Sequence, residues 1–310
     1  MRHKLIRTAQ WLFALAVLGF AGVGLIRQWT HVRDRLSTLD IHWSRIAVAS
    51  ILVLGAYAIL IEVWRRMLEA WDNTLGWLPT TRIWFASSLA KYIPGNVWSV
   101  AALGVMAKEQ GISGVAAVGS SIMVTLLNLV SGLAVVLFCG SKLVEHFAVF
   151  AGAAAVIITA TVLAPTVFPG LAKWLCRVTG KDVRLPTVPP GLIWLSLTGT
   201  AVAWLAYGVA FRFFAQGLLG AGRTGAAPFL PYIAVYTGAY ILGFVTPVAP
   251  AGLGVREAGI VAGLVGLGLM ERSDAVIVAL TSRLWITILE VAPGLIALAA
   301  SQARTRTHHA

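Results

Sequence analysis

Six apolar runs, at residues 11–26, 46–68, 114–138, 147–168, 191–219 and 275–299, divide this chain of 310 residues. Coiled as α-helices, runs of that kind match or approach the roughly 30 Å hydrocarbon core of a bilayer. A helix also pairs its own backbone amides, which lipid cannot do. An all-α integral membrane protein follows. The chain is 58% hydrophobic and only 12% charged. The formal net charge of +12 does not point to nucleic acid, because the cations sit in short segments between apolar runs. There they set orientation against an anionic leaflet. Cys139 and Cys176 form no metal-site spacing and no disulfide framework, and the six histidines are scattered. No cofactor is expected, and no phosphate-binding glycine loop of the nucleotide-hydrolase type occurs.

Two further apolar tracts are interrupted. Residues 243–257 read GFVTPVAPAGLGVRE. Pro247 and Pro250 each remove a backbone donor and push Thr246 and Ala249 away from helical angles. Gly252 and Gly254 then permit backbone angles closed to other residues. Arg256 and Glu257 open the next apolar run. The earlier tract, residues 83–105, holds Lys91-Tyr-Ile-Pro94-Gly95-Asn96-Val-Trp98, a second Pro-Gly break with a lysine just before it. Interrupted backbone survives at membrane depth only when packed in protein or lining a wet cavity. A kink that merely lets helices pack closely is the plainer reading of each break.

Charge suggests the topology. With the N-terminus cytoplasmic, Arg65, Arg66, Arg82, Lys108, the basic loop at 169–190 and the tail fall inside. Residues 31–45 are the exception, with Arg33, Arg35 and Arg45 outside. This assignment needs each broken tract to enter and leave on one side. About six transmembrane helices plus two re-entrant helical hairpins then form an inverted repeat, 46–138 against 191–299, joined by 139–190. Residues 1–45 become an anchor helix and loop, 46–299 the membrane domain, and 300–310 a cytoplasmic tail. Glu62, one turn from Arg65 and Arg66, reads as a local ion pair. Arg212 reads as a residue that snorkels to the interface.

The two motifs together, from Lys91 to Trp98 and from Pro247 to Glu257, resemble the signatures of the lysylphosphatidylglycerol synthase transmembrane region family. The resemblance covers roughly residues 46–299. Two departures stand out: Ala251-Gly252 where the family usually has Gly-Gly, and Val124-Thr125 where it often has an acidic-basic pair. Arg283 falls where the family often has an arginine. The resemblance implies a flippase-like module in the inner membrane that handles a lipid with a polar headgroup. Bifunctional relatives carry a soluble aminoacyl-transferase domain after the membrane region. This sequence ends at Ala310, so aminoacylation is not expected; an intramembrane enzyme is not expected either, because the apolar tracts offer only Glu62, Glu257 and Glu290, with no histidine beside them.

The candidate headgroup-binding residues are Lys91, Asn96, Thr246, Gly252, Gly254, Arg256 and Glu257. Pro94, Gly95, Pro247 and Pro250 act as structural breaks, and Arg283 and Glu290 as supporting ion-pair residues. A half-helix N-terminus offers free amides to a phosphate, and Arg256 adds a forked, permanent charge. Glu257 would hold Arg256 or bind a cationic headgroup amine. Ser87 is a further neutral partner. The same charges also fit a buried network, Arg256, Glu257, Arg283 and Glu290, that only locks helices together. A lipid translocator is the leading function. The alternatives are a lipid-binding partner subunit of a lipid-synthesising or transferase enzyme, and a small-solute secondary transporter.

Overall fold

The computed structural model describes residues 41–92, 97–140, 188–224, 228–246 and 252–307, with side chains in the last segment to residue 296. The spans expected at 11–26 and 147–168 and nearly all of the basic loop lie outside the described residues. So do Pro94, Gly95, Asn96, Pro247 and Pro250.

The described chain is helical, with α1 at Trp43–Glu69, α2 at Trp77–Ser88 and a 3-10 turn at Leu89–Tyr92. Then come α3 at Val97–Glu109, α4 at Gly114–Cys139 and α5 at Pro190–Leu219. After a single turn at Ala221–Thr224 follow α6 at Phe229–Val245, α7 at Val255–Gly266 and α8 at Arg272–Thr307. Four of these, α1, α4, α5 and α8, are long and apolar enough to cross a bilayer. Either side of residues 141–187 the order is therefore the same: a long helix, two shorter ones, a long helix.

Local chemistry explains the boundaries. By sequence, Glu69 to Arg82, with Trp71, Trp77 and Pro79, reads as a loop at headgroup level, yet α2 begins at Trp77. Pro79 is the reason this is possible, since its missing N–H falls in a first turn where amides have no intrahelical acceptor. Ser113 caps α4 by accepting a hydrogen bond from the Ala116 amide. Thr246 is extended at the end of α6, as the residue before a proline must be. The polar stretch 106–113 is half helical, because α3 runs on to Glu109.

Helix α1 packs most extensively against α5, and the two are antiparallel. The His42 amide at the start of α1 donates to the Gly217 carbonyl near the end of α5. At the other end, Gly199 of α5 lies against Val63 of α1. Helices α6 and α7 also pack antiparallel, with Gly263 against Val235 and Gly259 against Ala239. At about 1.5 Å per residue, the 12 residues of α7 fall well short of a bilayer core.

Lipid tails are as apolar as leucine, so close packing and buried polar contacts must hold such helices together. The polar ties are present. Trp64 donates to Ser120 at 3.0 Å, Ser131 meets Thr200 at 2.8 Å, and Trp285 donates to Ser50 at 2.9 Å. Glycine provides the close approach. A Cβ at Gly208 of α5 would stand 2.4 Å from the Ile233 Cα of α6. We therefore expect Gly208→Ala to lower the thermal unfolding midpoint in detergent. Backbone overlap of this kind costs about 1–3 kcal/mol, more than the ~1 kcal/mol that alanine returns in helix propensity. Gly55→Ala, with nothing within 4 Å, should leave the midpoint level or raise it. Equal behaviour of the two variants would show that this contact does not limit stability.

Candidate functional site

The two interrupted tracts meet. A cavity of about 150 Å³ is walled by Lys91 and Ser99 from the first tract and by Gly243, Phe244, Gly252 and Arg256 from the second. Helix α8 closes it with Arg283, Thr287 and Glu290. A larger cavity of about 470 Å³ adjoins it and shares Lys91, Ser99, Tyr240, Phe244 and Glu290. The small cavity is charged. The larger one is walled chiefly by aromatic and aliphatic side chains, with hydroxyls from Ser87, Ser88, Ser121 and Thr125.

Glu290 is buried, and both its oxygens are engaged. Tyr57 of α1 donates its hydroxyl to Oε1 at 2.7 Å. The Lys91 ammonium, in the 3-10 turn after α2, pairs with Oε2. Arg283, two turns earlier on α8, reaches Glu257 Oε1 at 3.3 Å. Glu257 turns its other oxygen back to the Gly254 amide, 2.7 Å away. This is the acidic half of a capping box and satisfies one orphan amide of α7. Gly254 has a φ of 83°, Gly252 of 70°; both lie in the left-handed region that favours glycine. Gly252 is also pressed against Gly243, whose Cα would be 2.9 Å from an added Cβ.

Arg256 is held differently. Its Nη2 donates to the Tyr236 hydroxyl at 2.7 Å. Its guanidinium carbon lies 5.0 Å from the ring centroids of both Tyr236 and Tyr240. These are neutral partners, and cation–π contact of this kind strengthens when water is excluded.

Several expectations are refined. Lys91, Gly252, Arg256, Arg283 and Glu290 do share one hollow. Glu257 does not hold Arg256. Adjacent helix residues point in different directions, so Glu257 turns to Arg283 and Gly254 instead. The Gly254 amide is consequently occupied rather than offered to a ligand. Thr246 is absent from the walls of both cavities, and its hydroxyl donates to the Leu242 carbonyl at 2.8 Å. Ser87 lines the larger cavity. Glu62 makes the local pairs foreseen, with Arg65 at 2.7 Å and Arg66 at 2.8 Å. Arg212 lies over the Phe229 ring, 4.0 Å from its centroid. Sequence reading missed Tyr57, Tyr236 and Tyr240. A signal existed: a tyrosine deep in an apolar run must find a partner for its hydroxyl.

The Lys91–Glu290 pair generates a prediction. Removing one partner of a fully buried pair strands the other charge and typically costs about 3–5 kcal/mol, whereas replacing both is close to neutral; here Glu290 is buried and Lys91 half-buried, so a smaller loss of the same kind is expected. We expect Lys91→Met to lower the thermal midpoint clearly, and Lys91→Met with Glu290→Met to recover most of the loss. Additive losses in the double variant would mean that the two groups are not energetically coupled.

Comparison with known proteins agrees with this architecture. No curated protein matches the chain. The family model for the lysylphosphatidylglycerol synthase TM region matches residues 11–294, nearly the whole sequence. With four helices among the described residues fit to cross a bilayer, the chain is a multi-pass membrane protein, and it belongs to the lysylphosphatidylglycerol synthase transmembrane region family.

Proposed function

We propose that this protein is a lipid translocator rather than an enzyme, and that it takes a lipid headgroup into the hollow between its two interrupted tracts. The carrying observation is the change of character between two adjoining cavities that share walls. A charged cavity lined by Lys91, Arg256, Arg283 and Glu290 lies beside a larger, mostly apolar one, with Lys91 and Glu290 in the walls of both. That matches an amphipathic ligand better than a small solute, which would need no apolar annex. Among the described residues, three cations, Lys91, Arg256 and Arg283, stand against two carboxylates, Glu257 and Glu290. The surplus favours an anionic, phosphate-bearing headgroup, and Arg256, bonded to a neutral phenol, is its principal ligand.

The order of elements supports an inverted repeat of re-entrant hairpins. Each half reads long helix, two short helices, long helix. The leading helices of the halves, α1 and α5, run antiparallel. Helix α7 is too short to cross and folds back along α6. Interrupted segments facing each other from opposite sides are a recurrent way to build an alternating-access site.

The test is transbilayer movement of a fluorescent anionic phospholipid in proteoliposomes, read by quenching of the outer leaflet. Wild-type protein should accelerate movement over protein-free vesicles. Arg256→Gln should reduce the accelerated rate at least about tenfold, the equivalent of one charge-assisted hydrogen bond. Movement no faster than in empty vesicles, or unaltered by Arg256→Gln, would falsify this reading.

A further inference from the structure

Helix α4 is among the most apolar in the molecule, yet it carries Ser121, Thr125 and Asn128 at steps of four and three residues. That spacing places them on one face, and all three line the larger cavity. The Thr125 hydroxyl donates to the Ser121 carbonyl at 2.8 Å and keeps its acceptor capacity. The side chains of Ser121 and Asn128 make no hydrogen bond among the described residues. A carboxamide has two donors and an acceptor with two lone pairs. Leaving these unmatched inside a membrane span is costly unless something polar enters the cavity. The stripe belongs to the same cavity as Lys91 and Glu290, so a ligand held at the charged end can reach it.

We propose that this face of α4 is a subsite for an uncharged polyhydroxy group attached to an anionic phosphodiester. The inference rests on the headgroup reading above and names its substrate class. Asn128, Thr125 and Ser121 accept and donate hydrogen bonds with ligand hydroxyls. Trp84 and Tyr207, also in the cavity wall, offer ring surfaces to the C–H faces of a polyol. An amine-bearing headgroup is disfavoured for a specific reason. Among the described residues lining this cavity the only carboxylate is Glu290, which Lys91 and Tyr57 already engage. A bare phosphate or simple alkyl phosphodiester would leave the stripe unmatched.

Three lipids with the same phosphodiester charge separate these cases. Phosphatidylethanol has no headgroup hydroxyl, phosphatidylglycerol carries a linear diol, and phosphatidylinositol carries a ring polyol. Competitive binding to the purified protein in nanodiscs, read by native mass spectrometry, gives their relative affinities. Wild type should bind at least one polyol lipid about tenfold more tightly than phosphatidylethanol, the discrimination expected of one or two net hydrogen bonds. Asn128→Leu with Thr125→Val should erase that preference while binding of phosphatidylethanol stays at the wild-type level. The retained binding also shows that the variant is folded. The ranking of the ring against the linear polyol identifies which of the two the subsite takes. Equal wild-type affinity for all three lipids overturns the subsite but leaves the translocator reading intact. The same holds if phosphatidylethanolamine, added as a fourth competitor, is preferred over both polyol lipids, and for a polyol preference that survives in the variant. Failure of all anionic lipids to bind overturns the headgroup reading and the subsite with it.

Discussion

One carboxylate organises the site. Glu290 is buried on a membrane-spanning helix, where an unpaired charge is expensive. It is satisfied by a phenol from α1 and by an ammonium from the turn that ends α2. Because α8 is independently fixed, by Trp285 stacked on Phe214 and bonded to Ser50, the position of Glu290 dictates where the first broken tract must lie. Arg283 does the same for the second tract. Through Glu257 it reaches the start of α7, and Glu257 in turn caps that helix. Two interruptions far apart in sequence are thus registered against a single helix.

Around this register the packing is close. Gly208 against Ile233, Gly263 against Val235 and Gly252 against Gly243 leave no room for a side chain. Van der Waals contact is the main attraction between helices in lipid, so these approaches are what hold α5, α6 and α7 together. The hollow persists beside them because its walls carry charges and hydroxyls that cannot collapse on one another without losing partners. Close contacts along α6 and the chamber lined by its Tyr236, Tyr240 and Phe244 are two results of the same economy of polar groups.

Much of this was legible in the sequence. The long helices follow from hydropathy alone, and the end of α6 follows from Pro247. The grouping of Lys91, Arg256, Arg283 and Glu290 was foreseeable because charges in apolar tracts must find each other or a cavity. Which charge meets which was not. Adjacent Arg256 and Glu257 look like a pair when written in a line, but helix geometry sends them to different neighbours. The start of α2 was missed because Pro79 and the tryptophans read as loop, although proline is welcome in a first turn. The tyrosines were passed over for a related reason. Composition treats Tyr236 and Tyr240 as part of the apolar run, and only the fold reveals that they face a guanidinium.

The setting of Arg256 has a dynamic consequence. Among the described residues its counterparts are ring faces and a neutral hydroxyl, so no salt bridge among them must be torn apart before an anion docks on it. An arriving phosphate gains the electrostatic attraction without first displacing a bonded partner of opposite charge from the guanidinium. A handhold of that kind grips only moderately and lets go readily, which suits a protein whose cargo has to pass through rather than stay.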